Sequence, residues 1–113
     1  MPIELPDPDD RKLLTLARAT RARVGAAQGA CVRDTDGRTY AGATVALDSL
    51  VVSALGVAVS MAISSGASGL EAAVVLGGGL DPADLAVVRE FAGTGVPVYV
   101  ADDAGTVTES AST

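Results

Sequence analysis

Side chains able to do chemistry are sparse in this chain. Among 113 residues it has no His, one Cys (Cys31) and one Lys (Lys12). The missing His removes the commonest general base and the commonest metal ligand. A single Cys excludes an intrachain disulfide and a thiolate metal cluster. Ser53 as a nucleophile needs a neighbouring base, and neither a His nor a linked Lys supplies one. Gly77, Gly78 and Gly79 stand between an apolar run and a helix start, where a phosphate cradle would sit. They lack the Lys and Ser/Thr of a P-loop, and Asp81 and Asp84 would repel an anion. The glycines therefore read as a flexible connection. Asp81-Pro82-Ala83-Asp84 reads as a helix start, with Asp81 at the cap, Pro82 at the first position and Asp84 in the first turn. Cys31, mid-strand beside Val32, reads as a small core residue.

The composition bounds the rest. Apolar residues make up 49% and charged residues 19%, enough for one domain with a buried core. The aromatics are Tyr40, Phe91 and Tyr99, so that core is aliphatic. A net charge of −6 argues against general nucleic-acid binding, which needs clustered Lys and Arg. The opening MPIELPDPDD is acidic and carries three prolines, so it is not a secretory signal. The expectation is a soluble cytoplasmic protein.

Positioning elements follow from the pattern. Residues 1–8 read as a flexible arm and 109–113 as a frayed tail, leaving 9–108 as a single domain. Asp9 or Asp10 caps a first helix running to about Arg23. Leu13, Leu16, Ala17 and Val24 share its apolar side; Arg11, Lys12, Arg18, Arg21 and Arg23 lie around the other. Five of the eight basic residues thus fall within thirteen positions. They form either a solvated face or a docking surface for an acidic protein partner; RNA is disfavoured, since no aromatic is interleaved to stack on bases. Residues 27–33 and 39–45 read as a hairpin, with Gly37 supplying the positive φ of its turn. Residues 48–65 carry no charge after Asp48, no aromatic and no Pro. They read as one long helix, buried on most sides, and too short and serine-rich for a membrane span. Ser49, Ser53, Gly56, Ser60 and Ser64 form a narrow small-residue face on it, which suits close packing or a self-association interface. A strand at 71–76, a helix at 81–92, a strand at 96–101 and a short edge strand at 106–108 complete the order. Helices alternating with strands after a hairpin predict an α/β fold, one mixed sheet covered by helices on both faces.

This order, with several local strings, resembles the cytidine deaminase family from the first helix to about Val107. GACVRDTDGRTYAG resembles that family's first hairpin, with a Gly-Ala strand, an Asp-Gly turn and an aromatic before a Gly. Residues 62–66, AISSG, resemble the end of its zinc-site helix, and 96–107 its strand, turn and strand. The resemblance implies a three-layer αβα sandwich. The family opens a helix with Cys-Ala-Glu or His-Ala-Glu and the next with Pro-Cys-x-x-Cys. Three of these side chains hold zinc, and the Glu shuttles protons for attack of water on the cytosine ring.

Aligned on Gly37 and Gly66, with two residues deleted, the triplet falls on Ser53-Ala54-Leu55. The ligand position is Ser53 and the proton-shuttle position Leu55. The second motif falls on residues 80–84, which places Asp81 and Asp84 at the two cysteines. The family's ribose-gripping Asn-x-Glu falls near Thr44-Val45-Ala46. Ser53, Asp81 and Asp84 could suit a hard ion, although Asp at a cap and in a first turn is what any helix start prefers. The reading is therefore a catalytically inactive relative, a pseudoenzyme with no zinc and no other cofactor, acting as a structural or protein-interaction module. The resemblance also implies a homo-oligomer, dimer or tetramer. One alternative is a nucleoside- or nucleotide-binding sensor using a vacated pocket near Thr44, Ala46, Ser49, Ser53 and Asp81. Another is an active deaminase-type hydrolase.

Overall fold

The computed structural model describes residues 2–113. Helix α1 spans Pro8–Val24. Strands β1 (Gly29–Asp34) and β2 (Thr39–Ala43) form the expected hairpin, and Gly37 turns it with a φ of 86°. Two short strands follow, β3 (Val45–Ala46) and β4 (Val51–Val52). Then come α2 (Ala54–Ser64), β5 (Leu70–Leu76), α3 (Pro82–Ala92), β6 (Pro97–Ala101) and β7 (Val107–Ser112).

The main sheet has the order β2-β1-β5-β6-β7. Only β5 and β6 are parallel, joined through α3 as a βαβ crossover; β1 runs antiparallel to both its neighbours, and so does β7 to β6. Helix α1 covers one face and α2 with α3 the other, the three-layer arrangement expected. Strand β5 shows why the layers form. Ala72, Val74 and Leu76 join the core under α1, while Ala73 and Val75 join the core under α2 and α3. Successive side chains point to opposite faces, so a strand covered on both sides is apolar on both faces, here without interruption from Ala72 to Leu76. Two glycines let the helices approach. A Cβ on Gly29 would collide with the Ala17 carbonyl oxygen of α1. One on Gly42 would sit 2.8 Å from Val57 Cγ1 and 2.9 Å from the Ala58 nitrogen of α2.

The structure departs from several of these expectations. The long helix at 48–65 is not continuous. Val45–Ala46 pairs antiparallel with Val51–Val52, the Leu47 N–H donates to the Leu50 carbonyl at 2.8 Å, and the helix starts only after Ser53. The β-branched Val51-Val52 pair suits a strand. Nor is that helix buried on most sides: Ala54, Leu55, Ala58, Val59 and Ala62 are buried, whereas Ser60, Met61, Ile63 and Ser64 are exposed. The first helix is capped by Asp7, whose side chain accepts from the Asp9 N–H, because Pro8 is preset for the first helical position. Val24 at its end is exposed, not part of the apolar side.

The ends are also docked. Leu5 is buried, the Ile3 N–H donates to the Val107 carbonyl, and Arg11 donates to the carbonyls of Leu5 and Pro6. The arm expected at 1–8 is thus held through its described residues; Met1 lies outside them. Residues 109–113 do not fray, since β7 continues along β6 to Ser112. Thr113 then exchanges backbone hydrogen bonds with Gly95 and Val96. Among the described residues, no helix is long and apolar enough to cross a membrane.

Candidate functional site

The site lies where the first turns of α2 and α3 meet. Ser53 caps α2: its Oγ accepts from the Gly56 N–H at 3.0 Å. The same hydroxyl donates to Asp84 Oδ1 at 2.8 Å, across 31 residues of sequence. Asp81 caps α3, its Oδ1 accepting from the Ala83 N–H at 2.9 Å, and Asp84 stands three positions on, in the first turn. The structure therefore brings Ser53 and Asp84 together, while Asp81 faces solvent and serves its own helix. Leu55 is 1% exposed and packs in the core under α2 and α3. Chemically the arrangement is a hydroxyl–carboxylate pair beside an aliphatic wall. Among the described residues, no three His, Cys, Asp or Glu side chains converge as a metal site would require.

The remaining pocket positions are dispersed. Thr44 Oγ1 accepts from the Gln28 N–H at 3.0 Å and lies 3.3 Å from the Gln28 carbonyl. It latches the end of β2 to the start of β1. Gln28 in turn donates to the Gly79 carbonyl at 3.1 Å, and the Gly77 N–H donates to the Ala101 carbonyl, so the glycine connection is pinned at both ends. Ala46 and Ser49 lie exposed on the small hairpin of residues 45–52.

Of the small-residue face, Ser60 and Ser64 are exposed. Ser53 is engaged with Asp84, Gly56 stands above Ser53 Oγ, and Ser49 precedes the helix. The exposed positions of α2 mix serines with apolar residues. Met61 and Ile63 are exposed there, and Leu47, Leu50 and Val51 are exposed on the adjoining hairpin. Val52, Val57, Ser60, Met61 and Ser64 line a shallow groove.

The basic face of α1 is partly committed. Arg11 binds the carbonyls of the arm. Arg21 donates to the Ala26 carbonyl and pairs with Asp103 at 3.2 Å. Arg23 reaches Thr20. Lys12 and Arg18 are exposed.

Two buried carboxylates escaped the sequence reading. Asp34 is 1% exposed and accepts from Tyr40 Oη at 2.8 Å and from the N–H groups of Asp36 and Arg38. Burial pushes its pKa up, but the Tyr40 hydroxyl and the two N–H groups prevail and hold it below the ordinary value. Asp10 accepts from Arg33, which also reaches Glu71. The Asp-x-Asp-Gly turn was a legible signal for Asp34; nothing local marks Asp10. Cys31 is buried, and desolvation pushes its thiol up to about 11.

A family model described as cytidine deaminase-like matches residues 6–105. The cytidine deaminase of Burkholderia pseudomallei superposes with a TM-score of 0.79 at 22% identity, covering 89% of this chain and 90% of that one. That of Mycobacterium leprae gives 0.72 at 18%, covering 88% and 92%. That of Mycobacterium tuberculosis gives 0.69 at 26%, covering 81% and 85%. Among curated proteins none matches the chain.

Proposed function

The chain belongs to the cytidine deaminase-like family, and we propose that it keeps the family's frame without its zinc chemistry, as a pseudoenzyme serving structure or protein interaction. One observation carries this reading: Ser53 Oγ donates directly to Asp84 Oδ1 at 2.8 Å, beside a Leu55 that is 1% exposed. Zinc does not fit this donor set. Catalytic zinc sites take three protein ligands from His, Cys and carboxylate, and here a hydroxyl and a carboxylate bond each other, with no three His, Cys, Asp or Glu side chains converging there among the described residues. Leu55 offers no proton to shuttle. The pocket positions are spent on Gln28 or turned to solvent.

The partner proposed is a second copy, met through the outward arc of α2. Met61 is exposed and lines a shallow groove on α2 with Val52 and Val57, Leu47, Leu50 and Val51 are exposed on the hairpin before it, and apolar surface left open to solvent marks interaction sites. A cytoplasmic home belongs to the same proposal, with a lone Cys31 and no disulfide.

Native mass spectrometry of protein purified without chelators, paired with a cytidine deamination assay with and without added zinc, tests the reading. The expected result is a metal-free dimer or tetramer that releases no ammonia. Stoichiometric zinc or turnover would sink it. A nucleoside that raised the melting temperature would replace it with the sensor reading, since a ligand at a hundred times its dissociation constant adds roughly 2.7 kcal/mol.

A further inference from the structure

We infer that Asp84 acts as a resident anion for two helices, tying the N-termini of α2 and α3 together where the family places a metal. The inference rests on the proposed reading that these positions no longer hold zinc. Helix N-termini carry unsatisfied N–H groups and partial positive charge, which acidic residues in the first turn offset. Helix α3 has its own acid there, Asp84. Helix α2 has none; the position three after its cap is Gly56.

The deficit in α2 is met from outside. The Gly56 N–H donates to Ser53 Oγ at 3.0 Å, and that hydroxyl in turn donates a hydrogen bond to Asp84 Oδ1 at 2.8 Å. The two bonds form a relay that ends on a carboxylate, and each polarises the other. Charge-assisted bonds of this kind are stronger than neutral ones. Gly56 leaves room for the relay: a Cβ there would lie 2.9 Å from Ser53 Oγ. A single carboxylate thus serves its own helix directly and its neighbour through a hydroxyl. This cross-link between the two helices needs no bound ion.

A double-mutant cycle in urea tests the link. S53A and D84A should each lower the folded-to-unfolded ratio about tenfold or more. Because both remove the same bond, the double variant should lose about tenfold less than the product of the two. Additive losses would overturn the inference. D84N keeps an acceptor for Ser53 but removes the charge. If D84A does not fold, the cycle of S53A with D84N should show a smaller coupling of the same sign, and zero coupling would again overturn it. Zinc and EDTA should leave the wild-type melting temperature unmoved. A rise with zinc would overturn the reading beneath the inference, which separates that failure from an additive cycle.

Discussion

Helices α2 and α3 pack into the same core, yet their first turns are built in opposite ways. That of α3 is self-contained: Asp81 caps it, Pro82 opens it and Asp84 supplies its charge, all within four residues. That of α2 is completed from elsewhere. Ser53 caps it, no acid follows, and the charge comes from Asp84 of the other helix. A first turn that carries its own signals is readable locally and fails locally. One that borrows its charge is readable only in three dimensions, and damage to it should spread to its neighbour.

The largest test of this contrast is L55E. Leu55 follows the α2 cap and is 1% exposed, so the change removes a buried side chain and places a carboxylate with no partner inside. The expected loss is about 4 kcal/mol or more, read from the urea midpoint at pH 7. An unchanged midpoint would mean that open space stands beside the α2 start. Next is G42A, where the new Cβ would lie 2.8 Å from Val57 Cγ1 and 2.9 Å from the Ala58 nitrogen. Overpacking against helix backbone should cost about 2 kcal/mol. G79A, with nothing within 4 Å of its Cβ, should change stability by less than about 0.5 kcal/mol. Equal losses would show that α2 does not press on β2.

The caps themselves sharpen the comparison. D81A removes an exposed cap and should cost about 1 kcal/mol. S53A removes a cap and the bond to Asp84 together, and should cost about 2 kcal/mol. If the two losses match, the borrowed charge is not contributing.

The last effect is silent near neutral pH. Cys31 holds its proton up to about 11 in the folded chain against an ordinary value of 9.0. Between those values the folded state binds more protons than the unfolded one. Stability should therefore be intact below about pH 9 and fall as pH rises toward 11. The raised values of Tyr40 and Tyr99 act in the same direction. A C31A variant should lose part of this slope in melting experiments from pH 8 to 11, and an unaltered slope would assign it to the tyrosines.

Legibility followed the range of the forces involved. The α3 start was readable because Asp-Pro with a later Asp acts within one turn. The same Asp-Pro signal stands at Asp7-Pro8, but Asp9 and Asp10, two and three residues on, offer equally good caps by residue type. The β1–β2 hairpin was readable from Asp36-Gly37, because few residues tolerate the positive φ of its turn. The apolar composition of residues 48–65, without proline, fits one long helix as well as it fits a strand, a turn and a shorter helix. Pairing of Val51-Val52 with Val45-Ala46 decided the matter, and pairing is a contact between segments. The same holds for residues 109–113, whose polar side chains look loose until β6 offers an edge.

What the sequence determined by itself was the chemistry at hand and the layering. It fixed a chain without His and with one Cys, an aliphatic core, a hairpin followed by alternating helices and strands, and hydroxyl and carboxylate side chains at the aligned site positions. These depend on residue type and on periodicities of two and about 3.6. Only the tertiary structure decided where α2 begins, which arc of it faces out, and that Ser53 and Asp84, 31 residues apart, are joined by a hydrogen bond of 2.8 Å. Each of these is settled by which segments pack together, and no local pattern encodes that.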